Sequence, residues 1–170
     1  MADASFRAKH RANPLFLRDA ELRQAMEILF FAYRDFTGEA DAVLAEFGFG
    51  RAHHRVIYFV GANPGITVSE LLQILKITKQ SLSRVLGELI NDGFVSQRTD
   101  SADRRRRRLF LTAKGADLER LLTERQSQRL ADAFRAAGAD AVEGFRTVLR
   151  GVINEEDRER VARPAPPALG

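Results

Sequence analysis

The sequence has 170 residues, 45% of them hydrophobic and 29% charged, with no cysteine. These proportions suit a folded domain with a real core and exclude wholesale disorder; the missing cysteines exclude disulfides, thiolate metal sites and cysteine-based redox sensing. No apolar run approaches the ~20 residues that span a bilayer, and Met1 to Asn13 lacks a signal peptide's apolar stretch, so a soluble cytoplasmic protein is expected.

The net charge of +4 is concentrated in one block, Arg104 to Arg108, and the rest of the chain is close to neutral. A local cluster of that kind suits contact with an anionic polymer.

Along the chain, Leu22, Met26, Leu29, Phe30, Tyr33 and Phe36 recur at helical spacing, which predicts a helix from about Leu17 to Phe36 with Gly38 as its stop. A short helix over Glu39–Phe47 should follow, broken by residues 48–50. Residues Arg51–Val60 read as a further helix, although their β-branched content leaves a strand open. Thr67-Val68-Ser69-Glu70 has the spacing of a capping box and opens a short helix. Thr78 caps a second one that reaches about Asn91, with Leu82, Val85, Leu86, Leu89 and Ile90 inward and Gly93 ending it. Residues 94–98 and 107–111 then form a hairpin with a basic tip. A long helix over Ala113–Ala137 and another from about Asp140 complete the pattern; the Pro-rich end from Arg163 cannot continue a helix and is expected to be disordered.

Two short helices followed by a hairpin is the order of a winged helix-turn-helix, in which one helix enters the major groove and a basic hairpin reaches the neighbouring minor groove. The reading helix presents Thr78, Lys79, Gln80, Ser81, Ser83 and Arg84, all donors or acceptors and none acidic. Gln can pair with adenine, Lys or Arg with guanine, and Ser with several partners. The plainer alternative is a solvated helix face. In the wing, Asp103, Arg104, Arg105, Arg106 and Arg107 are the candidate contacts: Asp103 stands two residues before Arg105 and could orient its guanidinium for a narrow minor groove, while its neighbours meet phosphates.

These residues resemble the MarR family of transcriptional regulators. The resemblance rests on residues 66–72, 78–85 and 89–95, and above all on Asp103-Arg104-Arg105, Leu109-Phe110-Leu111-Thr112 and Gly115, which are similar to that family's wing pattern. It covers about residues 17–155. The stretch Gly50-Arg51-Ala52-His53-His54-Arg55 is also similar to a PetP-like subgroup.

The resemblance implies a mainly α fold with a small β-hairpin wing, a winged helix-turn-helix carried between N- and C-terminal dimerisation helices. The expected division is an arm over 1–16, dimerisation helices over 17–49 and 113–155, a DNA-binding domain over 50–112, and a disordered tail over 156–170. A homodimer on a pseudo-palindromic operator, with half-sites about 10 base pairs apart, is the implied partner arrangement. Many members of the family take small aromatic or anionic effectors. Phe30, Tyr33, Arg51, His54 and Tyr58 are the lining candidates here, with a core role the favoured alternative for Phe30 and Tyr58. The chain has three histidines. Of these, the adjacent His53 and His54 point about 100° apart on a helix and share a metal poorly, so no metal or other cofactor is expected. A winged-helix module that binds protein or RNA is the competing class, but Lys79, Gln80 and Arg84 argue for DNA. No nucleophile elbow, phosphate-binding glycine loop or metal-ligand spacing suggests an enzyme.

Overall fold

The computed structural model describes residues 17–162. The expected arm over 1–16, with His10, and residues 163–170 of the expected tail lie outside the described residues. The chain divides after Gly38 into two compact units.

Helix α1, Asp19–Ala45, runs through Gly38 without a break. This corrects the expectation of two helices separated there. A helical glycine costs only about 1 kcal/mol relative to alanine. The residues that follow, Glu39 to Ala45, include three alanines and a leucine, and Ala40 and Leu44 are fully buried in the core of the second unit. That burial outweighs one weak position. In the first unit, the Thr37 hydroxyl donates back to the carbonyls of Tyr33 and Arg34, at 2.9 and 3.1 Å.

The second unit holds the winged helix-turn-helix. Helix α2, Arg51–Ala62, settles the helix-or-strand alternative for that segment. Strand β1, Ile66–Thr67, leads directly into helix α3, Val68–Leu75, and helix α4 spans Lys79–Asn91. Strands β2, Val95–Thr99, and β3, Arg107–Leu111, form the wing. Helices α5, Ala113–Ala137, and α6, Ala139–Val152, follow, and α7 spans Glu155–Ala162. Residues 156–162, expected in a disordered tail, are therefore helical.

The three strands form an antiparallel sheet in the order β1-β3-β2. Ile66 pairs with Leu109, and Val95 with Leu111. The third strand was not apparent in the sequence, because two residues are too few to show an alternating pattern. The expected caps are present. Thr67 Oγ1 accepts the Glu70 N–H at 3.3 Å while the Glu70 carboxylate accepts the Thr67 N–H at 2.8 Å. Thr78 Oγ1 accepts the Ser81 N–H at 3.1 Å.

One hydrophobic core joins the elements: Leu44, Val56, Ile57, Val60, Leu71, Leu82, Leu89, Phe94, Leu109 and Leu122 are all buried. Each such side chain contributes about 1.5–3 kcal/mol through loss of contact with water. Between α3 and α4 the chain turns at Lys76, which adopts φ 50°, ψ 40°. Gly93 (φ 76°) ends α4, and the chain returns with Phe94 N–H bonded to the Leu89 carbonyl at 2.8 Å.

Candidate nucleic-acid interface

Helix α4 buries Leu82, Val85, Leu86 and Leu89 and leaves Thr78, Lys79, Gln80, Ser81, Ser83 and Arg84 exposed. The core contact thus fixes how the helix is rotated, and all six expected readers lie on the face turned to solvent. Thr78 and Ser81 are tied together through the cap and a hydroxyl–hydroxyl bond of 2.9 Å. Arg84 donates from Nη1 to Glu88 Oε1 at 3.1 Å, one helical turn on.

Glu88 has a second partner that sequence reasoning missed. Its Oε2 lies 2.5 Å from Nε2 of His53, a buried side chain of α2. His53 Nδ1 accepts the Gly50 N–H at 3.1 Å, so the ring proton sits on Nε2 and is donated to Glu88. The His53 bond first, and Arg84 after it, hold the Glu88 carboxyl below its ordinary value. Only a fold that brings α2 against α4 reveals this pairing, since the two residues are 35 positions apart.

The wing turn is organised by Asp100. Its Oδ1 accepts the Ala102 N–H at 2.8 Å and its Oδ2 accepts Arg108 Nε at 2.6 Å. These bonds, the Ala102 amide first, lower the Asp100 carboxyl from its ordinary value. Arg108 reaches on to the Gly65 carbonyl at 3.2 Å, tying the wing to the turn before β1. The last arginine of the block is thus a structural strut, and the sequence carried no sign that Asp100 would select it.

Asp103, Arg104, Arg105, Arg106 and Arg107 are all exposed on the wing. Asp103 acts differently from expectation. Its Oδ1 accepts the backbone N–H of Arg105 at 3.0 Å, and its Oδ2 lies 3.5 Å from Arg106 Nε. A carboxylate two residues before an amide closes a local turn more readily than it reaches the end of that residue's side chain. Asp103 therefore shapes the loop backbone and leaves the Arg105 guanidinium unpaired with it. Arg107 bonds the Thr99 hydroxyl across the hairpin.

The expected effector residues have varied surroundings. Phe30 and Tyr33 belong to the first unit and are exposed; Tyr58, in α2, is exposed too. Neither Phe30 nor Tyr58 is buried in the core of the single chain. Arg51 Nε pairs with Asp41 Oδ2 at 2.8 Å. His54 is half-buried, and burial lowers its pKa against the opposing charges of Asp41 and Glu119. An open cleft of about 680 Å³ in the second unit is lined by Glu39, Leu121, Arg125 and Arg129 among others, and by none of the five.

A family model described as MarR family matches residues 47–106, from the residues before α2 through the wing turn. The HTH-type transcriptional regulator PetP of Rhodobacter capsulatus is 51% identical over 140 residues, covering 82% of this chain and 84% of that protein. The chain belongs to the MarR family. Among solved structures, MarR has a TM-score of 0.63 at 25% identity, covering 86% of this chain and 97% of that one. Streptococcus pneumoniae FabT, solved in complex with DNA, has a TM-score of 0.70 at 18% identity over 77% of this chain and 94% of its own, a likeness of fold. The MarR family's wing pattern acquires a physical meaning here. Thr112 Oγ1 donates to the Gly93 carbonyl at 2.6 Å and accepts the Gly115 N–H at 3.1 Å, joining the end of α4 to the start of α5.

Proposed function

We propose that this chain is a transcriptional regulator that binds double-stranded DNA as a homodimer, reading bases with α4 and gripping phosphates and the minor groove with the wing. The observation that carries the reading is the exposed, acid-free N-terminal face of α4 from Thr78 to Arg84, together with a wing turn that presents Arg104 to Arg107. Among the described residues Lys79, Arg104 and Arg105 take part in no ion pair, so their donors are available to a polyanion. The fold shared with FabT, which was solved with DNA, supports the same reading.

Two exposed apolar surfaces support the dimer. On α1 they include Met26, Leu29, Phe30 and Phe31, and on α6 Phe145, Val148 and Val152. We assign both to dimerisation, the wing and α2 to α4 to DNA, and no catalytic step to any residue. With chromosomal DNA as target, the protein would work in the cytoplasm. Arg51 and His54, which share the Asp41 carboxylate as a charge neighbour, are the contacts we assign to an anionic or aromatic effector. Titration with phenolic acids tests that assignment, and flat traces remove it.

The main test is selection of bound sequences from random duplex DNA at near-physiological salt. Enrichment of an inverted repeat with half-sites about one helical turn apart is the expected result. Binding without enrichment, lost as salt rises, would mean non-specific attraction alone and would favour a protein- or RNA-binding module.

A further inference from the structure

Arg84 occupies the reading face of α4 yet carries an acidic partner, Glu88, one turn on. An exposed ion pair at this spacing ordinarily orders neither side chain, because two long flexible groups are bridged across water. Here one end is anchored. Glu88 Oε2 accepts a hydrogen bond from His53 Nε2 at 2.5 Å, and His53 is itself held on its other sides. It is buried, stacked on Phe49 with ring centroids 4.6 Å apart and 12° between planes, and held at Nδ1 by the Gly50 amide at 3.1 Å. Because that amide is at the cap of α2, the imidazole orientation is set by the backbone of another helix.

The consequence is a relay of fixed geometry: Gly50 N–H to His53, His53 to Glu88, Glu88 Oε1 to Arg84 Nη1. With one carboxylate oxygen held, the other presents an acceptor at a defined place on the helix surface. An arginine tied there by Nη1 keeps its Nε–Nη2 edge for a further acceptor, and loses less side-chain freedom when it meets one. Guanine O6 and N7 are acceptors of that kind in the major groove.

We propose that His53 and Glu88 are positioning residues for Arg84, pre-orienting its guanidinium so that α4 discriminates at one base pair. The proposal rests on the DNA-binding reading above. It gives the paired acid a purpose, since an unanchored carboxylate beside DNA would only repel phosphate.

The test measures affinities of the full chain and its Arg84→Ala, Glu88→Gln and His53→Gln variants for the selected operator and for every single-base-pair change in it. Arg84→Ala locates the base pair that Arg84 reads, where discrimination of about 5- to 150-fold is expected for a good contact. Glu88→Gln keeps an acceptor for His53 but loses the charged partner of Arg84, whereas His53→Gln removes the anchor without changing the charge of the reading face. Both should flatten preference at that same base pair several-fold, toward the Arg84→Ala profile, and leave preferences elsewhere unchanged.

A purely electrostatic Glu88 predicts otherwise: Glu88→Gln would tighten binding to all sequences and steepen the salt dependence with the base profile intact. A purely structural His53 predicts a lowered Tm and a uniform loss across sequences. Either pattern overturns the relay, as does an unchanged base profile in Arg84→Ala. Should His53→Gln fail to fold, the Glu88→Gln profile decides alone, because that side chain lies on the surface. If the unsubstituted protein enriches no sequence, the DNA reading itself falls.

Discussion

A methyl group at Gly115 would lie 2.0 Å from the Phe94 carbonyl oxygen, a distance no packed atoms tolerate. The obstacle is backbone, and that carbonyl is also bonded to the Thr112 N–H at 3.0 Å, so it cannot turn away without breaking the junction between wing and α5. Gly115→Ala should therefore cost about 3 kcal/mol or more by overpacking, measured by urea denaturation; a loss within that of an ordinary surface change would show that α5 can shift freely. His54 provides a prediction of a different kind. Burial lowers its pKa from an ordinary value near 6.5. The folded protein then binds this proton less readily than the unfolded chain, so the stabilisation is fully present above the unfolded value and is lost as pH falls through the lower folded one. Stability should decline just below pH 6.5, and His54→Asn should flatten that part of the profile when denaturation midpoints are compared from about pH 5 to pH 8. Glu70, Glu88 and Asp100, all lowered by hydrogen bonds, add a separate loss only below the ordinary carboxylate range.

The wing is where individual contacts become a shape. Asp100 closes the turn through Ala102 and, through Arg108, ties β3 to the Gly65 carbonyl. Asp100→Asn should leave α4 intact while loosening the hairpin: hydrogen exchange should quicken over residues 100–106 and operator affinity should fall. Unchanged exchange there would mean that the strand pairing alone holds the turn. Arg105→Ala removes a side chain with no structural partner in the turn, so it should weaken binding by ~1–3 kcal/mol if it enters the groove, with no change in exchange. Much of this architecture is legible in the sequence because its signals are local. Thr67 and Thr78 stand three residues before the amides they cap, and Leu82, Val85, Leu86 and Leu89 mark one face of α4 by spacing alone. Three features were not readable. Gly38 looked like a stop because its local cost is visible in sequence whereas the burial of Ala40 and Leu44 is not. Strand β1 exists only because β3 pairs with it. The Asp100–Arg108 and His53–Glu88 pairs depend on which side chains the fold brings face to face, and a block of five arginines gives no hint of which one becomes a strut.

The single chain leaves apolar side chains exposed along two helices. Met26 and Phe30 on α1 are 68% and 63% exposed, and Val148 and Val152 on α6 are each 65% exposed. Isolated apolar residues at a surface need no explanation, but runs of them along one helix are costly to leave in water. A second copy is the partner that a two-fold operator demands, since each winged domain would then meet one half-site in the same way. Stable interfaces bury about 1,200–2,000 Å² in total, so a run of apolar side chains rather than a single one is needed. Placing a carboxylate in either surface should break the assembly without touching the core of the second unit. Phe30→Glu and Val148→Glu are each expected to yield a folded monomer by sedimentation equilibrium. Full-operator affinity should then fall by ~100-fold or more, because the second half-site is no longer tethered to the first, while half-site affinity stays close to its original value. A dimer that survives both substitutions would place its interface on other surfaces. A monomer that keeps full-operator affinity would separate DNA reading from dimerisation, and the inverted repeat would then have to arise from two chains binding independently.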